Sequence, residues 1–321
     1  ILGRGVAHYV ESSIGTPVEQ AELHISTQEK RLNLVIGTQP SGQGHETSFA
    51  QVAAERLGLT VEKINVIVGD TDIVKVGGGS HSGRSMRMAG TVIVKASQAL
   101  IEKGKKIAGY VFEAALEDIE FSNGVFAVSG TDQRLDFFEL SSEADKFNLP
   151  DDLVDGLSVV EDNEMHTPVF PNGCHICEIE IDEETGVPQI VRYAAVDDVG
   201  RAINPLIVDG QTHGGIVQGV GQAMWEECVF DPDGQPLCGS FMDYGMPRAD
   251  HFPDFKTALN EVPSPTNPLG VKAGGEGGTT PAPAVITNAV VNALQGYGVE
   301  HIKMPLTPLK IWEAMRLNSK L

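Results

Sequence analysis

Apolar and polar positions change rhythm several times along the chain, and each change predicts an element. Ala21 to Ser26 alternates with period two, Gln28 to Arg31 is a polar turn, and Leu32 to Gly37 alternates again, which predicts a hairpin. A loop, Thr38 to Glu46, follows. From Thr47 to Leu57 the period becomes helical, with Phe49, Val52, Ala53 and Leu57 on one face. Val61 to Val68 reads as a short buried strand. A glycine-rich run, Gly77 to Ala89, then interrupts the pattern before a helix predicted from about Gly90 to Lys103 or beyond. Asn123-Gly124 marks a hairpin turn between Ile119 and Val128. Residues 130–165 are acidic and poor in pattern, and read as a surface excursion.

The second half repeats the theme. Cys174 to Ile181 and Gln189 to Asp197 alternate on either side of a turn at Asp182 to Gly186. The loop DDVGRAINP precedes a long helix, about Asp209 to Glu227. Asp231 to Gly234 suggests another hairpin turn leading to Cys238–Met242, and Met246 to Pro268 is rich in proline. The signal Thr279-Thr280-Pro281 opens a last helix, roughly Ala284 to Leu294. GQGHETSFAQVAAE in one half rhymes with GGIVQGVGQAMWEE in the other. The expected fold is α+β, in two pseudo-repeated lobes of mixed sheet and helices, 1–129 and 166–321, joined by the acidic segment 130–165. No short period recurs, so a solenoid is not expected.

Composition narrows the function classes. The 321 residues carry 23 basic and 44 acidic side chains, a net charge of -21, which disfavours nucleic-acid phosphates and acidic membrane faces. Neutral small molecules and protein partners remain open. Four cysteines are too few for a disulfide scaffold at this length. Cys174-His175-Ile176-Cys177 has CxxC spacing, but strand alternation points its thiols to opposite faces, so buried structural thiols are expected. No apolar run spans a membrane, so membrane insertion is not expected, and the location is expected to be cytoplasmic.

The candidate chemistry sits in glycine-rich loops. GVKAGGEGGTTP sets one carboxylate, Glu276, in a loop with exposed amide donors ahead of a helix N-terminus. Gln43 and Gly44 precede the first helix. Gly79, Ser80, Ser82, Gly83 and Ser85 supply amides and hydroxyls, with Arg84 beside them to suit a phosphate. Gln218 lies on a helix that Gly214, Gly215, Gly219 and Gly221 leave open to close approach. Together these describe a large, flat, phosphate-bearing cofactor gripped mostly by backbone. Neither a P-loop nor a dinucleotide GxGxxG motif is present. The alternative is that the glycines serve tight turns and Glu276 is solvated.

A resemblance resolves the choice. IGTQPSGQGHETSFAQVAAE, GDTD at Gly69 to Asp72, GGGSHSGRS, DDVGRAINP, GQTHGGIVQGVGQAMWEE, FMDYGMP and NPLGVKAGGEGGTTPAPAVITNAVVNAL occur in order over nearly the whole chain. In this the chain resembles the C-terminal half of the molybdenum-binding subunit of the xanthine dehydrogenase, aldehyde oxidase and aerobic carbon monoxide dehydrogenase family. The resemblance implies a molybdopterin cofactor, in its cytosine dinucleotide form, that holds the metal without a protein ligand. It implies cofactor contacts from Gln43 and Gly44, from Gly79, Ser80, His81, Ser82, Gly83, Arg84 and Ser85, from Gln218, and from Lys272, Gly274 and Gly275. Glu276 matches the family's catalytic glutamate, a general base in a hydroxylation that takes its oxygen from water. It further implies a chain carrying the first half of the binding domain, an iron-sulfur subunit with [2Fe-2S] and a flavin subunit with FAD. The sequence departs at His81-Ser82-Gly83, where many members have an aromatic residue and then Gly-Ser, and at Ala273 after Lys272. The first departure bears on the substrate more than on the cofactor. A non-catalytic nucleotide- or partner-binding module, or an inactive fragment of such an enzyme, is the alternative. His45 and His213 also lie in the implied cofactor loops, where either contact or packing would account for them.

Overall fold

The opening Gly-Arg-Gly segment, which shows no hydrophobic alternation, is a strand. In a computed structural model, which describes residues 1–318, β1 (Leu2–Val10) alternates exposed and buried positions along its whole length. Its inward positions are Gly3, Gly5, Ala7 and Tyr9. A Cβ at Gly3 would fall 2.1 Å from the Ala289 carbonyl oxygen, and one at Gly5 would fall 2.0 Å from that of Val285. The glycines are there because a helix backbone lies directly on the strand.

The chain then runs β2 (Val18–Ser26), β3 (Arg31–Ile36), α1 (His45–Leu57), β4 (Ile64–Ile67) and α2 (Ser85–Phe112). β5 (Ile119–Ser122), β6 (Val125–Val128), β7 (Arg134–Asp136), α3 (Phe137–Ala144) and β8 (Ser158–Glu164) follow. The remainder is β9 (Asn172–Ile181), β10 (Pro188–Asp198), α4 (Pro205–Met224), β11 (Phe255–Leu259), α5 (Ala282–Ala293) and α6 (Pro308–Asn318). These elements form two compact units. One comprises residues 13–169 and 264–271. The other comprises 1–12, 170–263 and the chain from 272 onward.

The units share one plan. The first has a four-stranded sheet in the order β8-β2-β3-β4, with β8–β2 and β2–β3 antiparallel and β3–β4 parallel. The second has the order β1-β9-β10-β11, again antiparallel, antiparallel and parallel. Each is a hairpin, a helix (α1 or α4), a parallel edge strand and a second helix (α2 or α5). A parallel pair needs such a crossover, which is why a helix separates its strands. The pseudo-duplicated α+β architecture expected from the rhyme is therefore present.

Several boundaries differ from expectation. Residues 130–165 do not bridge two lobes. They belong to the first unit, where Asp136 and Glu139 form a capping box on α3, Phe137 and Leu140 are buried, and β8 pairs with β2. α2 begins at Ser85, five residues before the predicted Gly90, because the glycine run ends in a helical turn. Cys238 to Met242 is not a strand, and only an isolated bridge joins Phe230 to Pro236. The proline-rich stretch contains β11, paired with β10.

Each unit has its own core. Leu23, Leu32, Leu34, Phe49, Leu57, Met88 and Val92 fill the first. Ile179, Ile181, Ile190, Ile216, Val220, Val285 and Ile286 fill the second. Fully burying each such side chain contributes roughly 1.5–3 kcal/mol. That packing fixes α5 on β1 and α2 on β2, and so fixes the loops at the head of each helix. No helix among the described residues is long and apolar enough to cross a membrane.

Candidate functional site

The predicted site residues fall into two sets, one in each unit. In the first unit, the loops ahead of α1 and α2 meet through side chains. The His45 Nε2 lies 3.0 Å from Ser80 Oγ, and Ser80 Oγ lies 2.8 Å from Ser85 Oγ. Burial, opposed by the Glu46 charge, holds the His45 pKa below its ordinary value, so its ring is neutral at pH 7. Gly44 caps α1 in the left-handed region, with φ 71°. The Gln43 side-chain oxygen accepts from the Ser41 amide, which leaves its amide N–H groups to donate elsewhere. Nothing lies within 4 Å of a Cβ placed on Gly42 or Gly79, so the backbone there is open to approach. The Ser82 φ is +48°, and Gly79 and Gly83 are also left-handed. Left-handed residues of this kind are what an anion nest is built from. His81 is exposed and is used within its own loop, with Nε2 3.1 Å from the Gly78 carbonyl oxygen and Nδ1 3.1 Å from Ser82 Oγ.

Arg84 corrects an expectation. Its side chain is fully buried and paired with the equally buried Glu19 at 2.9 Å. The guanidinium also donates to the carbonyls of Thr16, Val18 and Gly79 and to Thr38 Oγ1. It braces the glycine loop from inside and is not a phosphate ligand. Gly78 is required beside it, since a Cβ would sit 2.5 Å from the guanidinium carbon.

In the second unit, the loop from Lys272 to Pro281 is built around Glu276. The Glu276 carbonyl accepts from the amides of Thr279 (3.1 Å) and Thr280 (3.0 Å) and from the Thr280 hydroxyl (2.9 Å). These bonds start the turn that becomes α5 and leave the Glu276 side chain exposed. Gly277 lies over the Tyr9 hydroxyl, 2.5 Å from where a Cβ would be. Gly278 packs on α4, where a Cβ would fall 2.3 Å from the Thr212 carbonyl oxygen, and Gly215 of α4 returns the contact. Gln218 and Gly214 are exposed on the same helix. Gly274 makes ordinary contacts with Val199 and Val208, and Gly275 meets nothing.

The Lys272 ammonium is engaged by Asp198. Burial alone would raise the Asp198 carboxyl. The Lys272 hydrogen bond and the amides of Gly200 and Val262 outweigh it and hold the carboxyl below the usual range. A further buried network was not legible in the sequence. Tyr9 Oη donates to Asp197 Oδ1 at 2.9 Å, His175 Nε2 lies 3.1 Å from the same oxygen, and His175 Nδ1 lies 2.9 Å from Tyr193 Oη. Glu11, directly after β1, brings a second carboxylate to Glu276, and burial first and then that neighbour push its pKa up to about 7. The only local signal for Glu11 was its parity with Tyr9. Of the Cys174–Cys177 pair, Cys177 is buried as expected, and burial pushes its pKa up to about 12, whereas Cys174 is only partly buried. No group of three or more metal-ligating side chains occurs among the described residues.

A model of the molybdopterin cofactor-binding domain matches residues 1–253. The chain belongs to that family. This molybdopterin cofactor-binding domain is 38% identical over 287 residues to the 6-hydroxypseudooxynicotine dehydrogenase complex subunit gamma of Paenarthrobacter nicotinovorans, covering 88% of this chain and 36% of the relative. It is 34% identical to the carbon monoxide dehydrogenase large chain of Hydrogenophaga pseudoflava, covering 88% of this chain and 35% of that one. Among solved structures it superposes on quinoline 2-oxidoreductase from Pseudomonas putida 86 with a TM-score of 0.86 and 32% identity, over 98% of this chain and 42% of the other. The domain thus spans little more than a third to two-fifths of the length of these relatives.

Proposed function

We propose that the chain is the molybdopterin-binding part of a molybdenum hydroxylase that oxidises a small substrate with water as the oxygen source. The observation that carries this reading is the placement of Glu276. Its backbone is fixed at the head of α5 while its side chain is exposed, in a domain whose family binds molybdopterin. A general base needs that combination of fixed position and open approach.

The loops fit the cofactor. Open backbone at Gly42 and Gly79, the hydroxyls of Ser80, Ser82 and Ser85, and the free amides at the start of α2 would hold an anionic, phosphate-bearing group. In the first unit Gln43 would donate a side-chain amide; in the second, Gln218 would donate another, and the backbone at Gly274 and Gly275 would admit close approach. When bound, the cofactor supplies the two-electron oxidation. This chain positions it and provides the carboxylate of Glu276 as the general base that takes the proton of the water-derived oxygen. Arg84 and Lys272 act indirectly, by bracing the two loops through Glu19 and Asp198. The cofactor is read as the cytosine dinucleotide form, with [2Fe-2S] and FAD on partner subunits, a further chain bearing the first half of the domain, and a cytoplasmic location.

The test is metal and pterin analysis of the native complex, followed by turnover of carbon monoxide and of N-heterocycles of the quinoline and nicotine type with wild type and E276Q. Stoichiometric molybdenum with turnover lost in E276Q is the expected result. A metal-free complex that binds a nucleotide would replace this reading with that of a binding module.

A further inference from the structure

Glu11 has no task in the function proposed above, yet its setting is unusual. Its amide donates to the Pro171 carbonyl at 2.9 Å, so its backbone is fixed. Both carboxylate oxygens are buried, and neither receives a hydrogen bond. The group they meet is the carboxylate of Glu276, from the loop ahead of α5. Two carboxylates are acceptors only, so the contact repels when both are ionised and becomes a hydrogen bond when one carries a proton.

The surroundings decide which one does. Glu276 is exposed, whereas the oxygens of Glu11 are out of reach of solvent. An unpartnered buried carboxylate gives up its charge in preference to its solvation. Along the strand, Glu11 acts on Tyr9, whose hydroxyl is bound to Asp197, with Asp198 also near. An ionised Glu11 would add its charge to those of Asp197 and Asp198 around Tyr9, and a proton on it removes that addition. The value of about 7 agrees with a neutral Glu11 below neutral pH.

We infer that Glu11 is a positioning residue for Glu276, its protonated carboxyl donating the hydrogen bond that orients the Glu276 carboxylate. The inference rests on the reading of Glu276 as the base. It commits the active form to one proton on the pair, held by Glu11.

The test is a pH titration of the protonated-carboxyl band by infrared difference spectroscopy on the intact complex. Wild type is compared with E11Q and E276Q. A carboxyl that deprotonates near pH 7 in wild type, vanishes in E11Q and titrates lower in E276Q is the expected result. A band unchanged by either substitution overturns the inference, and neither outcome depends on turnover. On the substrate found by the screen above, E11A lowers kcat about tenfold to a hundredfold, the worth of a hydrogen bond to a charged group. E11Q, which keeps a donor, recovers most of that loss and lacks the alkaline limb near pH 7. Equal losses in E11A and E11Q, or a limb that survives in E11Q, would refute the positioning role. Full turnover by E276Q would refute the base itself, and the infrared result would still report whether the two carboxyls are coupled.

Discussion

The two units place a glycine-rich loop at the same point of the same plan, after the parallel edge strand and before the second helix, and anchor it in opposite ways. In the first unit the anchor is a cation: Arg84 is fully buried, neutralised by Glu19 and bonded to three carbonyls. Charge is settled inside, so the loop presents amides, hydroxyls and the His81 ring outward. In the second unit the anchors lie beside the loop, in Lys272–Asp198 and in the Tyr9–Asp197–His175 network. The carboxylates of Glu11 and Glu276 are left facing each other without a donor. One loop is built to hold, and the other keeps a proton-exchanging group in tension. Duplication supplies the frame, and the buried charge partner decides what each loop offers.

The largest effect that sharpens this contrast is loss of the base. E276Q should lower turnover by about a hundredfold to ten-thousandfold, the usual reach of general-base catalysis, while leaving bound molybdenum unchanged. Turnover and metal content measured on one preparation separate the two roles. Next in size is R84A. Removing one member of a buried pair leaves Glu19 uncompensated, at a cost of about 3–5 kcal/mol. Urea unfolding should show it, and a smaller loss would mean that Arg84 is not the main brace. Cofactor should fall with stability in R84A but not in E276Q.

Backbone contacts give a finer test. G278A would drive a Cβ to 2.3 Å from the Thr212 carbonyl oxygen, a backbone atom that cannot rotate away. A loss of about 1–3 kcal/mol is expected from such overpacking. G79A meets open space and carries only the strain of φ +72°, about 1–2 kcal/mol. Thermal unfolding of the two variants compares a crowded loop with an open one. If G79A instead weakens cofactor retention more than stability, the open face of Gly79 is in use.

The sequence made the frame legible and its anchors illegible. Alternation in Ala21 to Ser26, Leu32 to Gly37 and Cys174 to Ile181 marked strands because one face of each is buried, which leaves a period-two trace. β1 left no such trace because its inward positions are filled partly by glycine, chosen for the approach of α5. β11 is five residues long, half-buried and set among prolines, so no pattern could develop. Arg84 in a glycine loop looked like a phosphate ligand because nothing local reveals that its partner is Glu19, on another strand. Glu11 was passed over for the same reason, since its meaning lies in Glu276. The glycine turns and the helix start after Glu276 were legible because turn chemistry is local, whereas the role expected of Glu276 came from the resemblance. Charge partners are tertiary, and single-sequence patterns do not carry them.

The smallest effect distinguishes the carboxylates around the Glu276 loop by the sign of their pH dependence. Glu11 titrates near 7 in the folded protein, against about 4.3 for an unfolded glutamate. Between those values the native state holds a proton that the unfolded state has released. Stability therefore falls as pH rises from about 4.3 to 7, and is flat above. The full shift would be worth more, but a half-buried, screened group is expected to show about 1–2 kcal/mol. Asp198 has the opposite sign. Its folded pKa is depressed, so its contribution is present above about 3.9 and is lost only as pH falls through the lower folded value. The windows do not overlap. Urea midpoints from pH 5 to 8 should decline in wild type, level out in E11Q and decline less in E276Q, which removes the facing charge. K272M should leave that decline intact and lower stability across the whole range. A decline that persists in E11Q would assign the slope to another group and remove the proton from the pair.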